Sequence, residues 1–222
     1  MEFGMSARII TIAQQKGGAG KTTLAAHLAV AWAESGKTVA VVDIDPQASL
    51  ASWWAMRQEL DVPAPTGVRG KGGLIVHRIT GWRTANEVGK LARDHDIVVI
   101  DSPPHAETEA KIAVRSADLV LVPLQPSPMD FWATQATLDL ARSEKTPAML
   151  VLNRVPPRAT LTGAMVDKLT DLGAKVAKAR IGNRVALAAA LLEGKGVTEY
   201  QKRGTASAEI KALVAELAKA VR

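Results

Sequence analysis

The segment from Gln15 to Thr23 places glycines, lysines and threonines at a spacing that suits binding of a phosphate chain. Glycines let the backbone turn so that successive amides point at phosphate oxygens, and the positive end of the helix that follows adds to that field. At this spacing Lys21 reaches the terminal phosphates of a nucleotide and the Thr22 hydroxyl reaches Mg²⁺. The predicted phosphate site consists of Gly17, Gly18, Ala19, Gly20, Lys21, Thr22 and Thr23.

Aspartates after apolar runs are candidates for the carboxylates that a magnesium–nucleotide site needs. Asp43 and Asp45 lie in the segment Val42-Asp43-Ile44-Asp45-Pro46-Gln47, and Asp101 ends the run that begins at Ile97. Phosphoryl transfer requires mainly orientation and charge neutralisation, so a carboxylate near the attacking water is an expected part. We expect Asp101 at the carboxyl edge of the sheet, where open α/β sheets bind ligands. Asp45, before Pro46, could instead cap the next helix.

Short runs rich in β-branched residues alternate along the chain with segments of helical length and spacing. Most of the runs are nearly continuously apolar, which is typical of strands buried on both faces. Alternation of this kind predicts right-handed crossovers and therefore a doubly wound α/β domain, a mostly parallel sheet with helices on both faces. The predicted strands are residues 8–13, 38–43, 74–79, 97–101, 119–123 and 148–153, and the predicted helices include residues 48–60, 82–93 and 129–142. Residues 61–73, rich in Pro and Gly, predict a mobile surface loop.

The phosphate loop departs from the standard G-x-x-x-x-G-K-[ST] pattern. Gln15 stands where the first glycine belongs, and an extra lysine, Lys16, stands beside it. The resulting K-G-G-x-G-K-T motif is a deviant Walker A motif and resembles that of the ParA/MinD family of P-loop ATPases, as the D-x-D-P-Q segment does. The resemblance implies an ATPase with ATP and Mg²⁺ as cofactors. It also implies that Lys16 reaches across a nucleotide-sandwich dimer to the phosphates of the partner.

The same resemblance assigns roles to individual residues. It implies catalytic roles for Lys16, Lys21 and Asp45, with Asp45 positioning the attacking water. Asp43 would support the Mg²⁺ and the phosphate loop, and Asp101 would be the Walker B residue that holds Mg²⁺ together with Thr22. Metal ligands are thus expected among Thr22, Asp43 and Asp101.

Two later segments extend the likeness from about Ala7 to about Leu217. The run from Leu121 to Pro128 resembles the V-x-P-x-x-P-S-P run of the family, and Leu152-Asn153-Arg154 resembles its adenine-recognising N-R segment. His105 follows the Walker B strand, and a general-base role for it is less favoured than that of an ordinary surface histidine, because the family pattern requires no histidine there.

Composition limits the remaining functions. The chain has 222 residues and no cysteine, which excludes disulfides, Cys-ligated zinc and iron–sulfur clusters. No apolar run approaches the roughly 20 residues of a transmembrane helix. A single tyrosine argues against a tyrosine kinase with a Tyr-rich tail. We interpret residues 1–4 as a cloning remnant and expect residues 5–222 to form one P-loop ATPase domain.

The positive charge is concentrated in the last third of the chain. Residues 153–222 carry 13 basic and 6 acidic residues, whereas residues 1–152 carry 15 basic and 16 acidic ones. With the ATPase motifs, this excess predicts sequence-independent, salt-sensitive contacts to DNA phosphates, strengthened when ATP-driven homodimerisation doubles the patch. The predicted contacts are Arg180, Arg184, Lys195, Lys202, Arg203 and Lys211.

The function classes that remain are DNA partition ATPases of ParA type and membrane-bound regulators of MinD type. The end of the chain, from Leu217 to Arg222, has small alanines and no Phe or Trp, which makes a poor membrane anchor. We therefore predict a cytoplasmic, nucleoid-associated ParA-type ATPase, without an N-terminal operator-binding domain, that acts with a ParB-like or cargo adaptor protein. The alternatives are a MinD-like regulator and a positioning ATPase for a protein cargo such as a chemoreceptor cluster or a microcompartment.

Overall fold

The computed structural model describes residues 7–67, 72–104, 107–157 and 161–221. The strands are β1 (Arg8–Ile12), β2 (Thr38–Asp43), β3 (Gly73–Arg78), β4 (Ile97–Asp101), β5 (Leu119–Leu124), β6 (Ala148–Leu152) and β7 (Lys175–Val176). The helices are α1 (Lys21–Glu34), α2 (Ser49–Glu59), α3 (Thr84–Asp94), α4 (Glu107–Arg115), α5 (Pro128–Ser143), α6 (Leu161–Asp171), α7 (Val185–Leu192), α8 (Val197–Tyr200) and α9 (Thr205–Ala220). A 3₁₀ turn, Gly81–Arg83, precedes α3.

The strands form one sheet in the order β3-β2-β4-β1-β5-β6-β7, and every pair in it is parallel. The predicted doubly wound α/β fold is confirmed, and the sheet is wholly rather than mostly parallel. The register aligns the carboxyl ends of three central strands, because Asp101 lies opposite both Ile12 of β1 and Asp43 of β2. This alignment places the loops that follow β1, β2 and β4 at one edge.

Helices cover both faces of the sheet because successive strand residues point to opposite sides. In β2, Val39 and Val41 pack with α1, α2, α7, α8 and α9, whereas Ala40 and Val42 pack with α3 and α4. The helices α5 and α6 continue the second layer over β5 and β6. The first face also carries α9, whose Ile210, Leu213 and Leu217 are fully buried, as its helical spacing predicts.

The structure adds elements that the apolar pattern does not indicate. Strand β7 has only two residues, and α4 and α6 were not predicted. The described part of the predicted mobile loop is anchored: Pro65 is buried, the Pro63 carbonyl accepts a hydrogen bond from Arg57, and Gly67 lies against Gly36. Among the helices of the described residues, none combines the length and the apolar character needed to cross a bilayer.

Candidate nucleotide site

The loop between β1 and α1 has the geometry of a phosphate cradle. Gly18 and Gly20 have positive φ angles of 75° and 87°, which favour glycine. No side chain caps the N-terminus of α1. The amides of its first turn are therefore available to an anionic ligand, at the positive end of the helix dipole.

Lys21 brings a buried cation to the base of this cradle. Its side chain is only 7 % exposed, and its Nζ donates a hydrogen bond to the Gln14 carbonyl at 3.1 Å. Burial lowers the pKa of Lys21, and the negative charges of Asp101 and Asp45 act in the opposite direction. Lys21 thus lies near the carboxylates of Asp101 and Asp45, and a metal ion bound to a phosphate group would match this arrangement of charges.

Asp101, at the end of β4, is the strongest indication of a metal ion. It is 1 % exposed, and neither carboxylate oxygen has a hydrogen-bond partner within normal geometry among the described residues. Burial raises the pKa of Asp101 to about 7; the nearby Thr22 hydroxyl and Lys21 lower it, and the charges of Asp43 and Asp45 raise it. A buried carboxylate without partners is costly unless a cation satisfies it.

The donor set fits Mg²⁺. In the described part of the chain no three His, Asp or Glu side chains gather into a complete protein-only metal site. Mg²⁺ commonly takes one or two protein oxygens and completes its octahedron with waters and nucleotide phosphates. Asp101 and the Thr22 hydroxyl supply that kind of partial set.

The structure places Asp43 and Asp45 differently from each other. Asp43 is fully buried, and its two oxygens accept hydrogen bonds from the amides of Asp45 and Ala51 at 3.1 and 2.9 Å. Burial raises its pKa despite these hydrogen bonds. Asp45 is half-buried and accepts a hydrogen bond from the Gln47 amide at 2.9 Å through Oδ1, and its Oδ2 has no hydrogen-bond partner among the residues that the structure describes. Asp43 therefore fixes the backbone that presents Asp45.

Lys16 lies on the open side of the loop and contacts a residue that the sequence analysis missed. Its side chain is 36 % exposed, and its Nζ donates to the Oδ2 of Asp130, which is 1 % exposed. Ser127 donates to the same oxygen at 2.6 Å. Burial raises the pKa of Asp130, but the hydrogen bonds from Lys16, Ser127 and the Gln125 amide outweigh it and hold that pKa below its usual range.

One face of α5 supports the phosphate loop from behind. Thr134 and Thr137 hydrogen-bond to the Gln14 side chain at 3.0 and 3.2 Å, and Thr137 also accepts the Gln15 amide at 3.3 Å. Asp130, Thr134 and Thr137 follow an i, i+4, i+7 spacing. That polar stripe on a helix beside the sheet is the sequence signal that could have revealed them.

Asn153 contacts the loop from the other side. Its Nδ2 donates to the Ala19 carbonyl at 2.8 Å, and its Oδ1 accepts the Arg154 amide at 3.0 Å. A cavity of about 760 Å³ opens beside it, lined by Thr22, Thr23, Arg154 and, on its apolar side, Trp53. The cavity is large enough for a nucleoside, and the predicted adenine residues Asn153 and Arg154 lie at its wall.

The structure does not bring the six predicted DNA contacts into one cluster. Arg184 lines the cavity just described and forms a bidentate pair with Glu209, while Lys195 pairs with Glu193. Lys202 and Lys211 adjoin each other, since the Lys211 Nζ lies 3.3 Å from the Lys202 carbonyl. Four of the six lack an ion pair with the described part of the chain, namely Arg180, Lys202, Arg203 and Lys211. His105 and residues 1–4 lie outside the described residues.

Comparison with known proteins decides the family. Residues 10–197 match the CobQ/CobB/MinD/ParA nucleotide binding domain. The chain belongs to this family. The predicted family is confirmed, and so, at the level of the family, are the ATPase activity and the cofactors ATP and Mg²⁺.

Individual relatives of the CobQ/CobB/MinD/ParA family share most of the chain. The maintenance of carboxysome distribution protein A of Halothiobacillus neapolitanus is 31% identical over 209 residues, which cover 90% of this chain and 91% of the relative. The chromosome partitioning protein ParA of Caulobacter vibrioides is 29% identical, with 80% and 78% covered. The crystal structure of the cell division ATPase MinD of Pyrococcus furiosus superposes with a TM-score of 0.78 at 21% identity, covering 96% and 99%, and shares the fold.

Proposed function

We propose that this protein is a ParA-type positioning ATPase whose ATP-bound dimer binds DNA without sequence preference. The observation that carries the proposal is the pair of lysines on one loop. Lys21 is buried inside the protomer, whereas Lys16 is 36 % exposed at the open side of the loop. Within the protomer Lys16 pairs with Asp130, and its partial exposure leaves its ammonium accessible to a nucleotide held by another protomer.

The site residues would have separate roles in ATP hydrolysis. Bound MgATP supplies the phosphoryl group whose transfer to water yields ADP and phosphate. The amides at the N-terminus of α1 and the Lys21 ammonium bind the phosphates, and Thr22 and Asp101 hold the Mg²⁺. Asp45, whose Oδ2 has no partner in the described ranges of the chain, would orient the attacking water. Asp43 positions Asp45 through the backbone and contributes negative charge beside the metal.

Dimerisation is tested with Lys16→Ala. In the protomer Lys16 is held by Asp130, and in the proposed dimer it exchanges this partner for phosphate oxygens of the neighbour. We expect wild-type protein with ATP to elute as a dimer in size-exclusion chromatography with light scattering, and Lys16→Ala to remain a monomer that still binds nucleotide. Lys90→Ala removes an exposed lysine on α3 and is the control that should dimerise normally. An ATP-dependent dimer of Lys16→Ala would refute the role of Lys16.

The basic last third supports the DNA proposal. Four of its six acidic residues are already engaged: Glu193 with Lys195, Glu199 with Arg57, Glu209 with Arg184, and Glu216 with the amides of Lys178 and Ala179. Exposed cations such as Arg180, Lys202 and Arg203 thus keep an unbalanced positive charge. Such a surface attracts phosphates irrespective of base sequence.

DNA binding is tested by its salt dependence. For contacts to phosphates, the logarithm of affinity falls linearly with the logarithm of salt concentration, with a slope of about −0.9 per phosphate contact. We expect Lys202→Ala/Arg203→Ala to weaken binding of unrelated duplexes equally and to flatten the slope by about two contacts per protomer. Lys90→Ala/Arg93→Ala removes the same charge from α3, on the opposite face of the sheet, and should leave the slope unchanged. Equal effects of the two double variants would contradict the proposal.

The cargo is proposed in two forms. A chromosome or plasmid carried through a ParB-like adaptor is supported by the similarity to the Caulobacter ParA. A protein assembly such as a microcompartment is supported by the similarity to the carboxysome distribution protein, which covers 90% of this chain. In the organism that encodes this protein, a fluorescently tagged Asp45→Ala variant should accumulate on the nucleoid. Loss of spacing between centromere foci in this variant would support the DNA cargo, and loss of spacing between protein assemblies would support the protein cargo.

A MinD-like membrane function is the competing proposal, and burial of α9 disfavours it. The bulky apolar residues Ile210, Leu213 and Leu217 face the core, and the exposed side of this helix offers lipid only small alanines such as Ala215 and Ala218. Co-sedimentation with anionic liposomes in the presence of ATP, alongside a DNA shift, tests the choice. ATP-dependent liposome binding without a DNA shift would overturn the DNA proposal.

A further inference from the structure

A second cavity lies at the opposite edge of the sheet from the nucleotide site. We call it the back groove; it has a volume of about 510 Å³, and Arg8, Trp32, Lys37, Ala215 and Ala218 are among the residues that line it. Arg8 begins β1 and Lys37 immediately precedes β2, so the groove lies at the amino ends of the strands. Its volume falls within the range of about 300–1,000 Å³ found for ligand pockets.

The rim of the back groove is strongly basic. Four cations line it, Arg8, Lys37, Lys202 and Lys211, against a single acidic lining residue, Glu34. Lys37 approaches Asp96 at 3.5 Å, but both side chains are more than 40 % exposed, and exposed pairs of this kind are weak.

The other three cations of the rim form no ion pair with the described part of the chain, and the charge of Glu34 offsets only one of the four. Arg8 and Lys211 hydrogen-bond only to carbonyls, those of Ala218 and Lys202, at 2.8 and 3.3 Å, and carbonyls do not cancel charge. An occupant of the groove must therefore be anionic.

The floor of the back groove is apolar. Ala215 and Ala218 come from the exposed side of α9; Val214 beside them packs partly against the core, and Trp32 of α1, only 3 % exposed, lies beneath. Ala215 and Ala218 are exposed, and their short side chains are what leaves the floor open. Covering such a surface is favourable by about 25 cal/mol per Å². The occupant must therefore also carry an apolar group.

These two requirements select one kind of partner. A DNA backbone supplies the anion but has no apolar group to place over Ala215 and Ala218, whereas a peptide can combine Asp or Glu with Leu or Phe within a few residues. At the groove wall, the buried Thr198 hydroxyl has no hydrogen-bond partner in the described part of the chain, which is a cost that a bound polar group can relieve. We propose that the back groove docks a short acidic segment of a partner protein, with an apolar side chain on its floor.

Short synthetic peptides test this proposal against the full-length chain. A peptide array compares acidic–apolar, acidic–polar, basic–apolar and neutral–apolar compositions, and the strongest binder is then titrated by fluorescence anisotropy. We expect the acidic–apolar class alone to bind, with an affinity that falls as salt rises. Equal binding of all classes, or no binding of the acidic–apolar class, would overturn the proposal.

Variants with matched controls locate the binding. Ala215→Phe fills the floor without changing charge and should weaken the peptide about tenfold or more, whereas Ala212→Phe, exposed on the same helix but outside the groove, should stay within about twofold. Lys37→Gln should weaken binding several-fold, and Lys90→Gln should not. ATPase activity, measured for each variant, reports that the fold is intact. If Ala215→Phe and Ala212→Phe behave alike, or if the groove variants lose duplex DNA rather than peptide, the proposal fails.

Discussion

Acidification is expected to destabilise the contact between α1 and the α7–α8 segment through one buried histidine. His27 on α1 is fully buried; its Nδ1 accepts a hydrogen bond from the Val197 amide at 3.0 Å, and its Nε2 lies 3.2 Å from the Leu187 carbonyl. These partners assign the proton to Nε2 of a neutral ring. Burial lowers the pKa of His27 from 6.5 to about 4, while the hydrogen bond with Leu187 acts in the opposite direction.

The size of the effect follows from the two pKa values. Between pH 6.5 and pH 4 the histidine takes up a proton in the unfolded chain but not in the folded one, so stability is full above the unfolded pKa and falls as pH decreases. From about pH 7.5 to about pH 5 the loss attributable to His27 is about 2 kcal/mol. Asp101, whose pKa is raised to about 7, changes stability in the opposite direction over this range. The total pH profile therefore does not isolate His27.

The assay is urea unfolding of the wild type and of His27→Gln at each pH. Glutamine offers an amide donor and acceptor at the same place but does not titrate, so the contribution of Asp101 cancels in the difference between the two proteins. We expect the stability difference, wild type minus variant, to fall by about 2 kcal/mol from about pH 7.5 to about pH 5. A difference that stays constant within about 0.5 kcal/mol would refute the assignment of a neutral, buried His27.

Two further predictions concern backbone strain and a buried ion pair. Gly20→Ala places a Cβ 2.6 Å from the Asn153 Nδ2 at a φ of 87°, so it should lower the free energy of unfolding by at least about 1–2 kcal/mol. At Gly17 an added Cβ meets nothing within 4 Å, so Gly17→Ala should change the free energy of unfolding little. Urea unfolding of both variants checks this, and equal losses would contradict it. Arg57→Met removes the cation that pairs with Glu199 and is 0 % exposed, and it should cost about 3–5 kcal/mol in the same assay; a loss below about 1 kcal/mol would show that the pair contributes little.

Much of the fold could be predicted because its signal is local. Most of the strands from β1 to β6 are nearly continuous apolar runs, the phosphate loop follows β1 directly, and Asp101 is the last residue of β4. Strand β7, with two residues, carries no periodicity, and its pairing with β6 is a tertiary effect. The motifs therefore predict which residues occupy the sheet edge, but the length of the sheet follows only from the packed structure.

The partners of the site residues could not be predicted, because they depend on long-range packing. Lys16 and Asp130 are 114 positions apart and meet only because β1 and β5 are neighbours. Asn153 was assigned to adenine from its position in a motif, yet its amide holds the Ala19 carbonyl of the phosphate loop. Charge counting located the basic third of the chain but could not reveal that Arg184 is paired with Glu209.

The strand order has a consequence for synthesis of the chain. The central strand β1 is made first, but its neighbours are β4, which begins at Ile97, and β5, which begins at Leu119. An emerging chain thus exposes an apolar strand with two unpaired edges until β4 has left the ribosome, and with one unpaired edge until β5 has followed. Chains interrupted before β5 are expected to aggregate or to require a chaperone, because one edge of the apolar strand β1 then stays unpaired.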